Sequence, residues 1–451
     1  MTLADQLAHH CARSTSNADL ERATLHVIAW TGAAALAAAT PTATPFWRGL
    51  QGLSEASDSW HTLLFEASLG SVFEMDDTHR QALVHPAPVI VPVAMAVARQ
   101  RKASGQQLLA AIVRGYEAMI RVGMTVGPAH YHYWHNTSTC GAIGSAVTTS
   151  HLLDLTPEQT AQAIRLALVQ TSGLWQTRLD PCDAKPWHLS RTAQTGVQAA
   201  FLARAGLTGP AHAFEGEKGF YAATCPDAQP ENLTCALSDT WQIHATSFKP
   251  WAACRHAHPA IDAACGVRDK WREHPSLSDD ADINGIHIHT YQDAIAFCDR
   301  AHPTDTAQAR FSLQHAVAMT LLHGSPAPSA FDVAHLTRPD VTALRAATLL
   351  VNDARFNQAY PHHFGATVSV QWRNGTCISH TVCDTLGDPE KPITEAALKD
   401  IMRVSLTTAG WLETRIQDRL HHTTHLIHDT DGAWIRVLKP LQPKHDDVSG
   451  V

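Results

Sequence analysis

Ile283-Asn284-Gly285-Ile286-His287-Ile288-His289-Thr290-Tyr291 decides the fold. Apolar residues alternate along it. Ile286 and Ile288 point to one face and His287 and His289 to the other, the two-residue period of a strand with a solvated side. Nothing upstream reads this way. Leu20, Ala23, Val27, Trp30 and Ala34 follow helical spacing. So do Leu108, Leu109, Ile112, Val113, Tyr116, Met119 and Ile120, which make one stripe over residues 105–122. Thr156-Pro157-Glu158-Gln159 is a helix start with a threonine cap, a first-turn proline and a glutamine closing the box. Residues 192–205 read as a helix stopped by Gly206, and 259–271 as another. The texture changes near residue 275. Helices are expected at 307–322 and 340–350. Strands at 366–372 and 376–383 lie around Asn374-Gly375, the strongest short hairpin signal. From Thr394 the pattern is helical again. The expected fold is mainly α: an all-helical domain from residues 1–268 and 394–451, and a smaller α+β domain from 269–393. Hinges are expected near 265–275 and 392–396.

A chain of 451 residues exceeds one ordinary core, which agrees with two domains. With 45% hydrophobic and 17% charged residues it is globular. The formal net charge of −8 and the lack of a long basic run exclude nucleic acid as a partner. Anions can still bind where positive groups converge. The ten cysteines include no C-x-x-C pair and no zinc or iron–sulfur spacing. The most apolar stretch, 29–40, falls short of the roughly 20 residues that span a bilayer. The N-terminus lacks a charged segment followed by an apolar run. The expectation is a cytoplasmic protein with reduced thiols and no membrane contact.

Chemistry-bearing residues fall in clusters. Glu74-Met75-Asp76-Asp77-Thr78-His79-Arg80 leads to His85-Pro86, between apolar helical segments. Such a stretch marks a pocket mouth or a turn that caps the helix beginning near Pro88. His135 follows an aromatic run and precedes the small-residue run Cys140-Gly141-Ala142-Ile143-Gly144-Ser145-Ala146, which lets a backbone or ligand approach closely. Lys185 and His188 form a third cluster, and Lys249, Arg255, His256 and His258 a fourth. Taken singly, a histidine is more often structural than catalytic, a lysine before proline is ordinarily solvated, and Cys254 reads as a small buried hydrophobe. His130, His132 and His135 lack a supporting carboxylate, so no metal site is assigned. Together, cations and imidazoles suit a small substrate with several carboxylates. Removing a proton beside a carboxylate builds a doubly negative aci-carboxylate, which needs a positioned base and fixed positive charge.

The ordered motifs E-M-D-D-T-H…V-H-P at 74–86, G-Y-E at 115–117, W-H-N-T-S-T-C-G at 134–141 and A-K-P-W-H at 184–188 carry a family resemblance. A-G-L-T-G-P at 205–210, F-K-P-W…C-R-H-A-H-P at 248–259 and A-R-F-S-L-Q-H at 309–315 continue it. The chain resembles the MmgE/PrpD family, which includes 2-methylcitrate dehydratase, cis-aconitate decarboxylase and iminodisuccinate epimerase. The resemblance implies a helical domain built from both chain ends, an α+β lid, a homodimer, and neither an iron–sulfur cluster nor a required metal. It places the family's pocket histidines on His85 and His135 and its pocket lysines on Lys185 and Lys249. It matches Asp77 and Thr78, while Glu74 replaces the decarboxylase branch's first aspartate. Cys254 stands where that branch has a histidine and His315 where it has a tyrosine, which points to a different substrate.

The resulting expectation is a cofactor-independent lyase of the dehydratase type acting on a small di- or tricarboxylate, with its groups meeting in one cavity. Lys185, Lys249 and Arg255 meet carboxylates. One of His85 and His135 removes the α-proton and the other protonates the departing hydroxyl. Glu74 or Asp77 orients a histidine and Thr78 holds a substrate carboxylate, with His188, Cys254, His256 and His315 lining the site. An epimerase using both histidines on opposite faces of one carbon, a cis-aconitate-type decarboxylase, and a non-catalytic binding protein are the alternatives.

Overall fold

The computed structural model describes residues 1–52, 59–180, 182–235, 240–274, 277 and 282–443. The change of texture near residue 275, the last residue of the first expected hinge and the final eight residues of the helical domain lie outside them. The chain forms two compact units. The larger comprises Met1–Val72, Asp76–Thr246 and Thr394–Val451, and the smaller Phe73–Met75 and Ser247–Ile393. Sequence reading drew the division at 268, whereas residues 247–268 group with the smaller unit. Helix His258–Arg272 packs on the strands Ala366–Trp372 and Cys377–Val382 and on helix Leu313–His323. A Cβ on Gly266 would meet His380 Cδ2 of the second of these strands at 2.4 Å. An apolar stripe announces that a helix has a neighbour but not which one.

In the larger unit, helix Asn136–Leu152 packs between Gly105–Gly123 and Ala184–Arg204. The small-residue run explains the closeness. A Cβ on Gly115 would fall 1.9 Å from Thr148 Oγ1, and one on Gly144 would fall 2.8 Å from the Gly115 carbonyl oxygen. On the other side a Cβ on Gly196 would lie 2.4 Å from Ser145 Cβ. The run therefore admits two backbones, and it fixes the helix whose first residue follows His135.

The C-terminal segment returns to this unit. Gly32 of helix Asn17–Ala38 lies against Met402, where an added Cβ would be 3.0 Å from its Cα. The buried Glu66 accepts Leu441 N at 3.0 Å and lies 3.3 Å from Arg99 Nη1. Among the described residues no single helix is long and apolar enough to cross a membrane. Helices Asn17–Ala38 and Ala43–Gln51 pass that test only jointly, across an 84° bend.

The smaller unit holds one sheet in the order β2-β1-β3-β4. β1 is Ile283–Thr290, β2 Thr348–Asn352, β3 Ala366–Trp372 and β4 Cys377–Val382. β1 runs parallel to β2 and antiparallel to β3. Ile286 and Ile288 are fully buried, while His287 and His289 are half-buried. Gly375 takes φ +87° in the β3–β4 turn and donates its N–H to the Trp372 carbonyl at 3.0 Å, so the glycine supplies the left-handed residue that closes the hairpin. β2 corrects the expected helix at 340–350: the helix is Pro339–Ala346, and Thr348 starts a strand. Leu349 on this edge strand is 62% exposed, so the run shows no clean alternation, and short apolar runs do not separate helix from strand.

Candidate active site

The acidic turn closes on itself, with His79 N donating to the Val84 carbonyl at 3.0 Å. Asp77 is buried, and its carboxylate is taken up inside the helical unit. Oδ1 accepts Ala87 N at 2.9 Å, capping helix Ala87–Arg101. Oδ2 accepts the Tyr116 hydroxyl at 2.6 Å and lies 2.7 Å from His26 Nδ1. The capping reading of the turn thus holds, and the same turn carries His85. The structure does not bring the Asp77 carboxylate to the imidazole. The Asp77 carbonyl oxygen does that work, 2.7 Å from His85 Nδ1, with Thr78 Oγ1 at 3.0 Å and Asp76 Oδ2 at 3.5 Å. A carbonyl only accepts, so Nδ1 carries the proton and the lone pair lies on Nε2.

His135 occupies the N-cap of helix Asn136–Leu152. The first turn grips the acidic turn: Asn136 Nδ2 donates to the Ala82 carbonyl at 3.3 Å, and Thr137 Oγ1 accepts His85 N at 3.1 Å. A strand-like contact fixes the other side, with His135 N donating to the Gly173 carbonyl at 2.9 Å and Trp175 N to that of Tyr133 at 2.8 Å. Trp175 stacks on the His135 ring at 4.3 Å and 24°.

Lys185 and His188 share the first turn of helix Ala184–Arg204. His188 Nδ1 lies 3.3 Å from His135 Nδ1, so one of the two nitrogens donates and the other accepts. His135 is 2% exposed. Burial first, then the Lys185 ammonium and the His188 and His85 imidazoles, hold it well below the ordinary histidine value, with Asp76 pulling the other way. A helix N-terminus also disfavours an imidazolium. Burial and Lys185 lower His188 as well. His135 is therefore a neutral imidazole at pH 7, and its buried Nε2 has no partner among the described residues.

The remaining predicted groups belong to the smaller unit. Glu74 adopts φ +54°, a left-handed backbone costly for a side chain. Its Oε2 lies 3.9 Å from Lys249 Nζ, and both side chains are largely buried. Arg310 lies over Phe73 at 4.1 Å, anchoring the segment that carries Glu74. Arg255 Nη2 pairs with the buried Asp388, while Nε and Nη1 have no partner among the described residues. Cys254 is a buried free thiol whose proton affinity is lowered chiefly by the neighbouring Cys298 thiol. His256 is placed elsewhere: Nδ1 is 2.7 Å from the Tyr291 hydroxyl and the ring stacks on Phe364. His315 is fully buried, its Nε2 donating to the Ala330 carbonyl at 2.9 Å. Arg345 and His335 add to the burial that brings it to about 4. Both imidazoles have packing roles, which their sequence neighbours could not reveal.

Sequence reasoning missed Trp175, Thr137 and the Tyr116 hydroxyl. Tyr116 lay within a quoted motif but read as part of an apolar stripe. Trp175 reaches His135 only through pairing of distant segments, and nothing local signals it.

Comparison with known proteins agrees with this architecture. The MmgE/PrpD N-terminal domain matches residues 1–233 and the MmgE/PrpD C-terminal domain residues 251–410. The chain belongs to the MmgE/PrpD family. It is similar to human cis-aconitate decarboxylase, 27% identical over 385 residues that cover 83% of this chain and 74% of the relative. It is 25% identical to the cis-aconitate decarboxylase-like protein oryM of Aspergillus oryzae, over 75% of this chain and 74% of that one. The mitochondrial 2-methylcitrate dehydratase of Yarrowia lipolytica is 26% identical over 52% of this chain and 46% of its own length.

Proposed function

We propose that the protein is a lyase that removes a proton beside a carboxylate of a small di- or tricarboxylate and expels water. One observation carries the reading: a buried, neutral His135 lies against His188, under the charge of Lys185 and beside the turn that presents His85. A neutral imidazole accepts a proton, and a fixed ammonium stabilises the aci-carboxylate that forms. His85, its Nδ1–H held by the Asp77 carbonyl, is the second proton carrier: Nε2 takes a proton from solvent and, in that protonated form, delivers it to the departing hydroxyl, which leaves as water. Lys249 and the two open nitrogens of Arg255 suit carboxylate binding. Relatives named as a decarboxylase and as a dehydratase support acid–base chemistry on such acids. Dehydration is preferred over cis-aconitate decarboxylation because Cys254 and His315 depart from that branch. We place the protein in the cytoplasm as a homodimer. Exposed Tyr133 and Trp187, close in the chain to His135 and His188, and exposed Leu174 and Leu179 are apolar side chains for a second copy to cover.

Incubating the protein in deuterium oxide with citrate, 2-methylcitrate and cis-aconitate, followed by proton NMR, tests the reading. Deuterium at the α-carbon together with an unsaturated product is the expected result. Deuterium entry without elimination would make it an epimerase, carbon dioxide release a decarboxylase, and binding without exchange would end the enzymatic reading.

A further inference from the structure

Tyr116 and His26 sit one residue behind the proposed reacting groups. The Tyr116 hydroxyl donates to Asp77 Oδ2 at 2.6 Å, and His26 Nδ1 reaches the same oxygen at 2.7 Å. Their rings are 4.9 Å apart, and His26, Tyr116 and Asp77 are each at most 2% exposed. Ala87 N holds Oδ1 at 2.9 Å. Both carboxylate oxygens are thus fixed, and with them the Asp77 backbone whose carbonyl meets His85 Nδ1 at 2.7 Å.

Filling this core would not require a phenol. Phenylalanine has nearly the same shape and needs no partner, whereas a buried hydroxyl must find one. Burial, then Asp77, keeps the Tyr116 phenol protonated, and burial brings His26 down to about 4, so both rings are neutral beside the carboxylate. Arg22 supplies the nearby positive charge.

We propose that Tyr116, with His26, is a positioning residue for His85: it clamps Asp77 so that the Asp77 carbonyl holds His85 in the Nδ1–H tautomer, leaving Nε2 to exchange protons with substrate. The catalytic half of this proposal rests on the lyase reading; the tautomer half stands without it. Asp77→Ala would remove the helix cap too, so the test uses the near-isosteric changes Tyr116→Phe and Asp77→Asn.

Histidine nitrogen-15 spectra of wild type, Tyr116→Phe and Asp77→Asn, with His85 signals identified by their loss in His85→Gln, read the tautomer directly. The expected wild-type signal is that of an Nδ1–H imidazole. Tyr116→Phe shifts it toward a tautomer mixture. On a carboxylate that wild type turns over, the same variant lowers kcat about ten- to a hundredfold, leaves KM nearly unchanged and moves the pH profile of kcat. A Tyr116→Phe protein with the wild-type His85 signal and pH profile would overturn the proposal, whatever its melting temperature. Should Tyr116→Phe not fold, Asp77→Asn decides by the same signal. Absence of turnover by wild type would sink the lyase reading alone, and the spectra would still decide the clamp.

Discussion

At the scale of single residues, the structure separates imidazoles gathered at the acidic turn and the helix starts from imidazoles packed against aromatic rings and carbonyls. His85, His135, Lys185 and His188 stand out in the sequence because imidazoles and ammonium groups in motif order are chemically conspicuous, and the structure sets His135 against His188 at 3.3 Å. Asp77 was equally conspicuous, yet its carboxylate caps a helix and binds Tyr116. His256 and His315 are committed to Tyr291 and to the Ala330 carbonyl. Residue type cannot distinguish these fates, since a buried imidazole needs a partner whether or not it reacts. The neutral state of His135 has a kinetic consequence. Its proton affinity lies well below the ordinary histidine value, so the base form persists as pH falls through 6.5. The acid limb of kcat/KM for a good carboxylate substrate is expected clearly below pH 6.5. A limb centred at 6.5 or above would give the base role to a different group.

At the scale of elements, most helical stripes, the caps and the Asn-Gly hairpin were read correctly because each is set by neighbours in sequence, but the helix expected at 307–322 is broken into Thr306–Arg310 and Leu313–His323, with Ser312 capping the second. β2 was misread because its identity depends on pairing with β1, a distant segment. The G-Y-E motif shows one helical turn serving three neighbours. Gly115 admits helix Asn136–Leu152, Tyr116 reaches the acidic turn, and the buried Glu117 binds His10 at 2.7 Å, Arg121 at 2.8 Å and Gln242 N at 2.6 Å. The glycine is the sharpest test of the packing account. Gly115→Ala puts a methyl group into Thr148 Oγ1 and is expected to destabilise the protein by about 1–3 kcal/mol in urea unfolding. Adding Thr148→Ala should recover part of that loss. A Gly115→Ala protein of wild-type stability would show the helices to be farther apart than described.

At the scale of the whole molecule, the division into a helical unit built from both chain ends and an α+β unit was visible as a change of period. The position of the break was not, because helix His258–Arg272 looks the same from its own sequence whichever core it joins. Buried imidazoles tie the fold to pH. Burial lowers His26, His79, His130 and His315 to about 4 each. The unfolded chain takes up these protons near pH 6.5, so between 6.5 and 4 it binds more protons than the folded one. Stability is therefore full above 6.5 and falls with pH through that window. Each such histidine contributes on the order of 1–2 kcal/mol between pH 7 and 5, to be checked by melting temperature against pH without substrate. A flat profile across that range would mean these imidazoles are hydrated in the fold.

The account turns on His135 as a proton carrier at the start of a glycine-packed helix. Its most direct test is the rate at which solvent deuterium enters the α-carbon of a carboxylate substrate, measured for wild type and His135→Gln proteins of matching melting temperature. A fall of about two to four orders of magnitude is predicted. Exchange at close to the wild-type rate would contradict it.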